Sequence, residues 1–191
     1  MKGSFPCAAI LPGTAGLIAC LPLLVHATPD VANQAWLPVD PGAAQCTAGA
    51  ARSSLENVAL RMEVSSADGR LRPREVDNQL EPGRHPLSGE LFSLQLRNGR
   101  LVRASEMRLE EPIRCELLAA EPAAARAAAR GSGWALHARL REAMTGLRVD
   151  WRLVLRDSGN YVRQEITLEP ARELDVAALS LVDLDVGAGA T

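Results

Sequence analysis

Lysine is all but missing from this chain. Lys2 is the only one, and the other 20 basic residues are arginines. They are spread along the whole length beside plentiful Ala, Gly and Pro. That distribution reads as a coding bias rather than a set of anion clamps, although the guanidinium fork suits carboxylate and phosphate. Aromatic residues are scarce at 3%, so a core has to be built from Leu, Val, Ile and Ala. A basic excess is missing as well. Beyond residue 27 the chain carries 20 basic and 23 acidic residues, a net charge of −3. That balance argues against electrostatic binding of nucleic acid and gives no reason to expect an acidic membrane as partner.

Several catalytic signatures are absent. Beyond the first 27 residues only His85 and His137 remain as histidines, and neither comes with a recognisable acid–base partner. His85 lies in "EPGRHPL", read as a loop, and His137 sits on a strand opposite its apolar side. No Cys-x-x-Cys and no paired histidine spacing points to a metal, so none is expected. No Gly-x-Ser-x-Gly elbow and no phosphate-cradling glycine loop occurs, and no cofactor is expected. Two carboxylate pairs, Glu110-Glu111 and Asp183/Asp185, are of the kind that hydrolyses glycosides. On an extended chain Glu110 and Glu111 point to opposite faces, whereas Asp183 and Asp185 share one near the end of the sequence. No catalytic residue is assigned.

Hydrophobic residues make up 47% of the 191, enough for one domain with a real core. The start, "MKGSFPCAAILPGTAGLIACLPLLVHATPD", carries one positive charge, then a long uncharged stretch, then Val25-His26-Ala27. That is the pattern of a signal peptide over 1–27, cleaved after Ala27, and it predicts an exported, periplasmic or extracellular protein. Pro6, Pro12, Gly13, Gly16 and Pro22 interrupt the stretch and argue against a membrane span. "LIAC", residues 17–20, keeps an alternative open, a lipoprotein anchored at Cys20. Either way Cys46 and Cys115 are left in an oxidising compartment. They form a disulfide, or they stay as two thiols, one in a flexible segment and one against the core.

Residues 28–55 have no period and read as a linker or loosely docked arm, with Trp36 and Leu37 as its anchors or Trp36 as an exposed sugar-stacking ring. From residue 56 the period becomes two. Val58, Leu60, Met62 and Val64 alternate with other residues up to Asp68-Gly69, a hairpin signal. Phe92, Leu94 and Leu96 repeat the design up to Asn98-Gly99. "EPIRCELLA" is a further short strand, the alanine-rich 119–130 reads as extended, and "WALHARLRE" puts Trp134, Leu136, Ala138 and Leu140 on one side. "LRVDWRLVLRDSGNYVRQEITLEP", residues 147–170, is the clearest hairpin. Leu147, Val149, Trp151, Leu153 and Leu155 share one face and Arg148, Asp150 and Arg152 the other, until Val154 interrupts. At its turn Gly159 or Asn160 is expected to take positive φ. "LDVAALSLVDLDV" reads as one last strand. Many short strands separated by turns predict an all-β fold, an antiparallel β-sandwich over 56–187 with a tail at 188–191. Its charged sheet face is either a functional surface or a solvated one laced by cross-strand pairs such as Arg152 with Arg163 and Glu165.

At 151–164, "WRLVLRDSGNYVRQ", the chain resembles the N-terminal β-sandwich region of secreted bacterial glycoside-hydrolase-like proteins of the alpha-galactosidase type, some of them called enterotoxins. Trp151, Arg152, Leu155, Arg156, Asp157, Asn160, Tyr161, Arg163 and Gln164 match that family's Trp-Arg-x-x-Leu-Arg-Asp-Gly-x-Asn-Tyr-x-Arg-Gln pattern. The glycine of the turn falls one place late here. With "LFSLQLRNGRLVRASEMRL" and "VAALSLVDLDV" the likeness covers roughly 56–186. It implies a supersandwich-like, non-catalytic module, with a carbohydrate and a downstream (β/α)₈ catalytic domain as its partners. The barrel and its carboxylates have no counterpart in this sequence, so the implied sandwich is partial or free-standing. A free-standing carbohydrate- or surface-binding module is the alternative. The polar residues of the matched hairpin, Arg152, Asp157, Asn160, Tyr161 and Arg163, are the candidate binding residues.

Overall fold

A computed structural model describes residues 39–187 apart from Pro82. The expected signal peptide, the Cys20 anchor, Trp36, Leu37 and the 188–191 tail lie outside the described residues. Fourteen strands follow one another among the described residues: β1 (Gln45–Ala48), β2 (Arg52–Glu56), β3 (Leu60–Ser65), β4 (Arg72–Asn78), β5 (Arg84–Glu90), β6 (Ser93–Leu96) and β7 (Leu101–Arg103), then β8 (Arg108–Leu109), β9 (Arg114–Leu118), β10 (Gly133–Arg141), β11 (Arg148–Arg156), β12 (Arg163–Glu169), β13 (Val176–Ser180) and β14 (Asp183–Val186). The only helical pieces among the described residues are three-residue 3₁₀ turns.

Every pairing is antiparallel. One sheet has six strands in the order β1-β2-β3-β4-β5-β14. A second runs β12-β11-β10-β8, with β9 also paired to β10, and a three-stranded sheet β13-β6-β7 completes the set. The fold is therefore all-β, and β1 and β2 pack against β9, β10 and β11 as the layers of a sandwich.

Alternation decides which face is buried, because successive side chains on a strand point to opposite sides. Leu147, Val149, Trp151, Leu153 and Leu155 all reach the core. They meet Leu55, Met62 and Val64 of the first sheet and Leu94, Leu96 and Val102 of the third in one cluster. With so few aromatics, Trp151 and Phe92 are the largest fully buried side chains. A buried indole N–H needs an acceptor. Trp151 Nε1 donates to Gln164 Oε1 at 2.8 Å, and Gln164 Nε2 donates onward to the carbonyl of Leu91 at 3.0 Å and to that of Leu181. One glutamine thus ties the central tryptophan to neighbouring strands.

The Cys46–Cys115 alternative resolves as a disulfide, with Cα atoms 5.9 Å apart, joining β1 to β9 across the two large sheets. The expected arm over 28–55 is corrected with it. Residues 45–48 and 52–56 are strands of the six-stranded sheet. Their small polar residues hide the pattern, since Ser53 and Ser54 are buried. Val58 sits in the turn between β2 and β3 and is exposed. His85 is in β5, opposite Val76, and not in a loop. Residues 119–132 are a connection with a 3₁₀ turn at Ala127–Ala129. Alanine has no strong reason to be extended, and Gly131 and Gly133 punctuate the segment.

The last predicted strand is two. β13 pairs with β6 and β14 with β5, so the chain changes sheets at Leu181-Val182. The register also shifts between Val176 and Ala178, and Val182 and Val186 are exposed, so the run is not one strand with a single buried face.

Candidate functional site

The outward face of the second sheet gathers most of its arginines. Arg139, Arg141 and His137 come from β10, Arg148, Asp150 and Arg152 from β11, and Arg163 and Glu165 from β12. Their register makes them neighbours: His137 faces Arg152, and Arg152 faces Glu165. At the centre runs a chain of ion pairs. Arg152 reaches Glu116 of β9 at 3.1 Å and Glu165 at 3.2 Å, and Glu165 also takes Arg163 at 2.6 Å. Towards β8, Glu110 holds Arg148 at 3.0 Å and Arg141 at 3.7 Å, while Glu111 holds Arg139 at 3.3 Å and Arg114 at 3.4 Å. Glu110 and Glu111 are thereby paired with different arginines.

His137 is buried and bonded through Nε2 to Asp150. Burial pushes the Asp150 carboxyl up, but His137 and Arg139 outweigh it and hold the group below the usual carboxylate range. The pair resembles the His and Asp members of a catalytic triad. Its cross-strand neighbours are Arg114 and Arg152, cations rather than a nucleophile. His137 Nδ1 is buried without a partner among the described residues. His85 lies on β5 of the other large sheet and takes no part in this face. Asp183 and Asp185 are exposed on β14, also in that other sheet. Among the described residues no cluster of His, Cys, Asp and Glu is arranged to hold a metal.

At the turn end of the same hairpin the pattern changes. Val154 of β11 is buried on the outward side with Ala135 and Leu118. Beside it opens a cleft of about 200 Å³. Val154 is its floor, Ala127, Ala128 and Gly131 line it from the 119–132 connection, and Arg156, Arg163 and Tyr161 line it from the hairpin. Tyr161, the only tyrosine in the chain, is 53% exposed at the rim. Arg156 forms no ion pair among the described residues. Its Nη1 donates to the carbonyls of Gly131 at 2.7 Å and Ala119 at 3.1 Å, and its Nε has no partner there.

The turn that closes the cleft is fixed from the first sheet. Asp157 Oδ1 accepts from the Ala44 amide at 2.8 Å and Oδ2 from the Ser132 hydroxyl. Asn57 Nδ2 donates to the Gly159 carbonyl at 2.7 Å, and the Ser158 amide donates to the Gly42 carbonyl at 2.7 Å. The Gly42 amide and the Ser158 hydroxyl both donate to Asp40 and hold its carboxyl low. Positive φ falls on Ser158, at 55°, rather than on Gly159 or Asn160. Gly159 is needed for another reason: a Cβ there would stand 2.8 Å from the Arg156 carbonyl oxygen.

The five candidate binding residues therefore part company. Asp157, Tyr161 and Arg163 line the cleft, with the Asp157 carboxylate committed to the turn. Asn160 lines a separate open, apolar groove that shares Tyr161 and includes Leu60, Val76 and Val162. Arg152 belongs to the ion-pair chain. Sequence reasoning misses Arg156 as a site residue, and it misses the Ala127–Gly131 wall because that segment reads as extended. The Gly-Ser-Gly at 131–133 is the signal for a break there.

Compared with protein-family models, curated proteins and solved structures, the chain matches none.

Proposed function

We propose that the chain is a non-catalytic β-sandwich module of an exported, alpha-galactosidase-like carbohydrate-active protein, and that the cleft at the tip of the β11–β12 hairpin borders its sugar site. The observation that carries this reading is the cleft itself: an exposed tyrosine ring beside two guanidinium groups. A flat ring with a polar edge suits the C–H face of a sugar, and a few fixed donors suit its oxygens. The commitment of Glu110, Glu111 and Asp150 to ion pairs supports the absence of chemistry. The Cys46–Cys115 disulfide supports export, since such bonds persist in oxidising compartments. No described helix is long and apolar enough to cross a membrane. Leu179, Leu181, Val182 and Val186, large side chains left exposed on and between β13 and β14, support a scaffolding role against a following catalytic domain.

The test is a glycan array with the purified exported chain and its Tyr161→Ala variant, together with turnover of aryl-galactosides. Binding that disappears with Tyr161 and no turnover is the expected result. Turnover by this chain alone would overturn the non-catalytic reading, and a blank array would overturn the sugar site.

A further inference from the structure

We infer that the apolar groove between β3, β4 and the β11–β12 turn is a dock for the chain's own Trp36-Leu37. The inference does not rest on the sugar reading. The groove is about 510 Å³, and Leu60, Val76, Leu80, Tyr161 and Val162 form most of its wall. No charged residue lines it among the described residues. Leu80 and Tyr161 are among the large apolar side chains left exposed, and so is Val58, next in the chain to the groove's Ala59. A contiguous exposed apolar surface marks a place where something else packs.

What packs there follows from where the described chain starts. Val39 is its first residue, and the segment after it is pinned to both sides of the groove. The Val58 amide donates to the Pro41 carbonyl at 3.0 Å, and the Ser158 amide donates to the Gly42 carbonyl at 2.7 Å. Ala59 and Leu60 follow Val58 directly, and Asn160, Tyr161 and Val162 follow close behind Ser158. Trp36 and Leu37 stand only three and two residues before Val39. An extended chain advances about 3.3–3.6 Å per residue, which gives Trp36 a reach of about 10 Å from Val39. Leu37 precedes Pro38, and a residue in that place is steered away from a helical turn towards an extended one. Residues 31–38 carry no charge, as the groove wall carries none, and Trp36 is their largest apolar side chain. A tryptophan covers roughly 150–250 Å², and its N–H needs an acceptor, which the Asn160 amide at the groove supplies. Trp134 and Trp151 are already packed in or against the core, so Trp36 is the tryptophan still in want of a place. Tethered so close, it meets the groove at an effective concentration on the order of mM, ahead of a free partner.

The test labels the exported chain with 5-fluorotryptophan, which gives one ¹⁹F signal each for Trp36, Trp134 and Trp151. Trp36→Phe assigns the Trp36 signal by removing it. That signal is expected away from its position in urea. Leu80→Glu, a change on the exposed wall of the groove, should move it to the urea position. The Trp134 and Trp151 signals should stay in place, which shows that the variant folds. A second label reads the contact from the other side. Tyr161 is the only tyrosine, so 3-fluorotyrosine places a single fluorine in the groove wall, and its signal should shift in Trp36→Ala. Should Leu80→Glu disturb all three tryptophan signals, the Tyr161 label decides alone. A Trp36 signal at its urea position in the parent chain, or one that Leu80→Glu leaves unmoved, would overturn the dock. So would a Tyr161 signal indifferent to Trp36→Ala. A Trp36 signal that leaves its urea position only as protein concentration rises would give the groove to a second copy and overturn the inference. One that leaves it only when methyl α-galactoside is added would make Trp36 a sugar-stacking ring, which overturns the dock and leaves the sugar reading standing.

Discussion

The two ends of the β11–β12 hairpin put the same residue type on the same face to different uses. At the open end and middle, Arg148 and Arg152 are matched by Glu110, Glu116 and Glu165. At the turn end, Arg156 is matched by nothing charged among the described residues. The difference lies in what the neighbouring strand supplies. β9 brings Glu116 opposite Ala135, within reach of Arg152, but it ends at Leu118, and Ala119 and Ala120 follow. Beyond that point the face passes from a lattice to a cleft. A row of arginines on a strand is therefore not one surface, and the adjoining strand decides where it closes and where it opens.

The largest way to break the comparison is to free the strand that closes the lattice. The disulfide fastens β9 to β1 across 69 residues of sequence, and the chain-entropy argument gives such a closure about 4 kcal/mol. The Cys46→Ser/Cys115→Ser double variant should lose that much in urea unfolding. A loss below about 1 kcal/mol would mean the unfolded chain already keeps the two strands together.

Acid comes next. Glu142, just after β10, is buried, which pushes its carboxyl up. The Thr145 hydroxyl, the Met144 and Thr145 amides and Arg100 outweigh burial and bring it down from 4.5 to about 2. A depressed carboxyl contributes stability above its unfolded value, and that contribution is lost as pH falls from 4.5 towards 2. The full contribution is about 3 kcal/mol. Glu142→Gln should be destabilised near neutral pH and should flatten the pH dependence of stability below 4.5. A variant as acid-sensitive as the parent would place the effect on other groups. Asp150, also held low, is the first alternative.

The core makes the third test. Gln164→Leu removes the acceptor of the Trp151 N–H and leaves it buried and unpaired, at a cost of about 2 kcal/mol. Gln164 also ties the hairpin to Leu91 and Leu181, so hydrogen exchange should rise in β13 as well as β12. Exchange confined to β12 would separate the two roles.

Sequence patterning reaches the core and misses the connections, for one physical reason. A period of two reports which side of a strand is wet. That suffices for Leu147 to Leu155, for the turn at Asn98-Gly99, and for the antiparallel all-β class. It carries no information on which sheet a strand joins, so 174–186 looks like one strand. Nor does it register a four-residue strand with no buried position, such as β1, or one whose buried positions include two serines, such as β2, so both read as an arm. The pairing of Arg152 with Glu165 is legible because both lie on one hairpin. The cleft is not, because its wall comes from Ala127 to Gly131, in a connection whose alanines carry neither a period nor a turn signal. Val154, the one apolar residue on the charged side of β11, is the cleft's floor, and only the folded chain shows what lies over it.

The smallest effect is the sharpest comparison. The Arg152 side chain is 31% exposed, and its two partners are similarly wet. Pairs of this kind are worth about 1 kcal/mol or less, and salt weakens them. A double-mutant cycle of Arg152→Gln with Glu165→Gln, read by urea unfolding, should give a coupling in that range that shrinks from low to high salt. Arg156→Gln should behave differently. Its bonds run to the neutral carbonyls of Ala119 and Gly131, so its cost should be nearly independent of salt. If instead both losses fade with salt to the same degree, Arg156 has a carboxylate partner in solution. The turn end of the hairpin would then be one more part of the lattice.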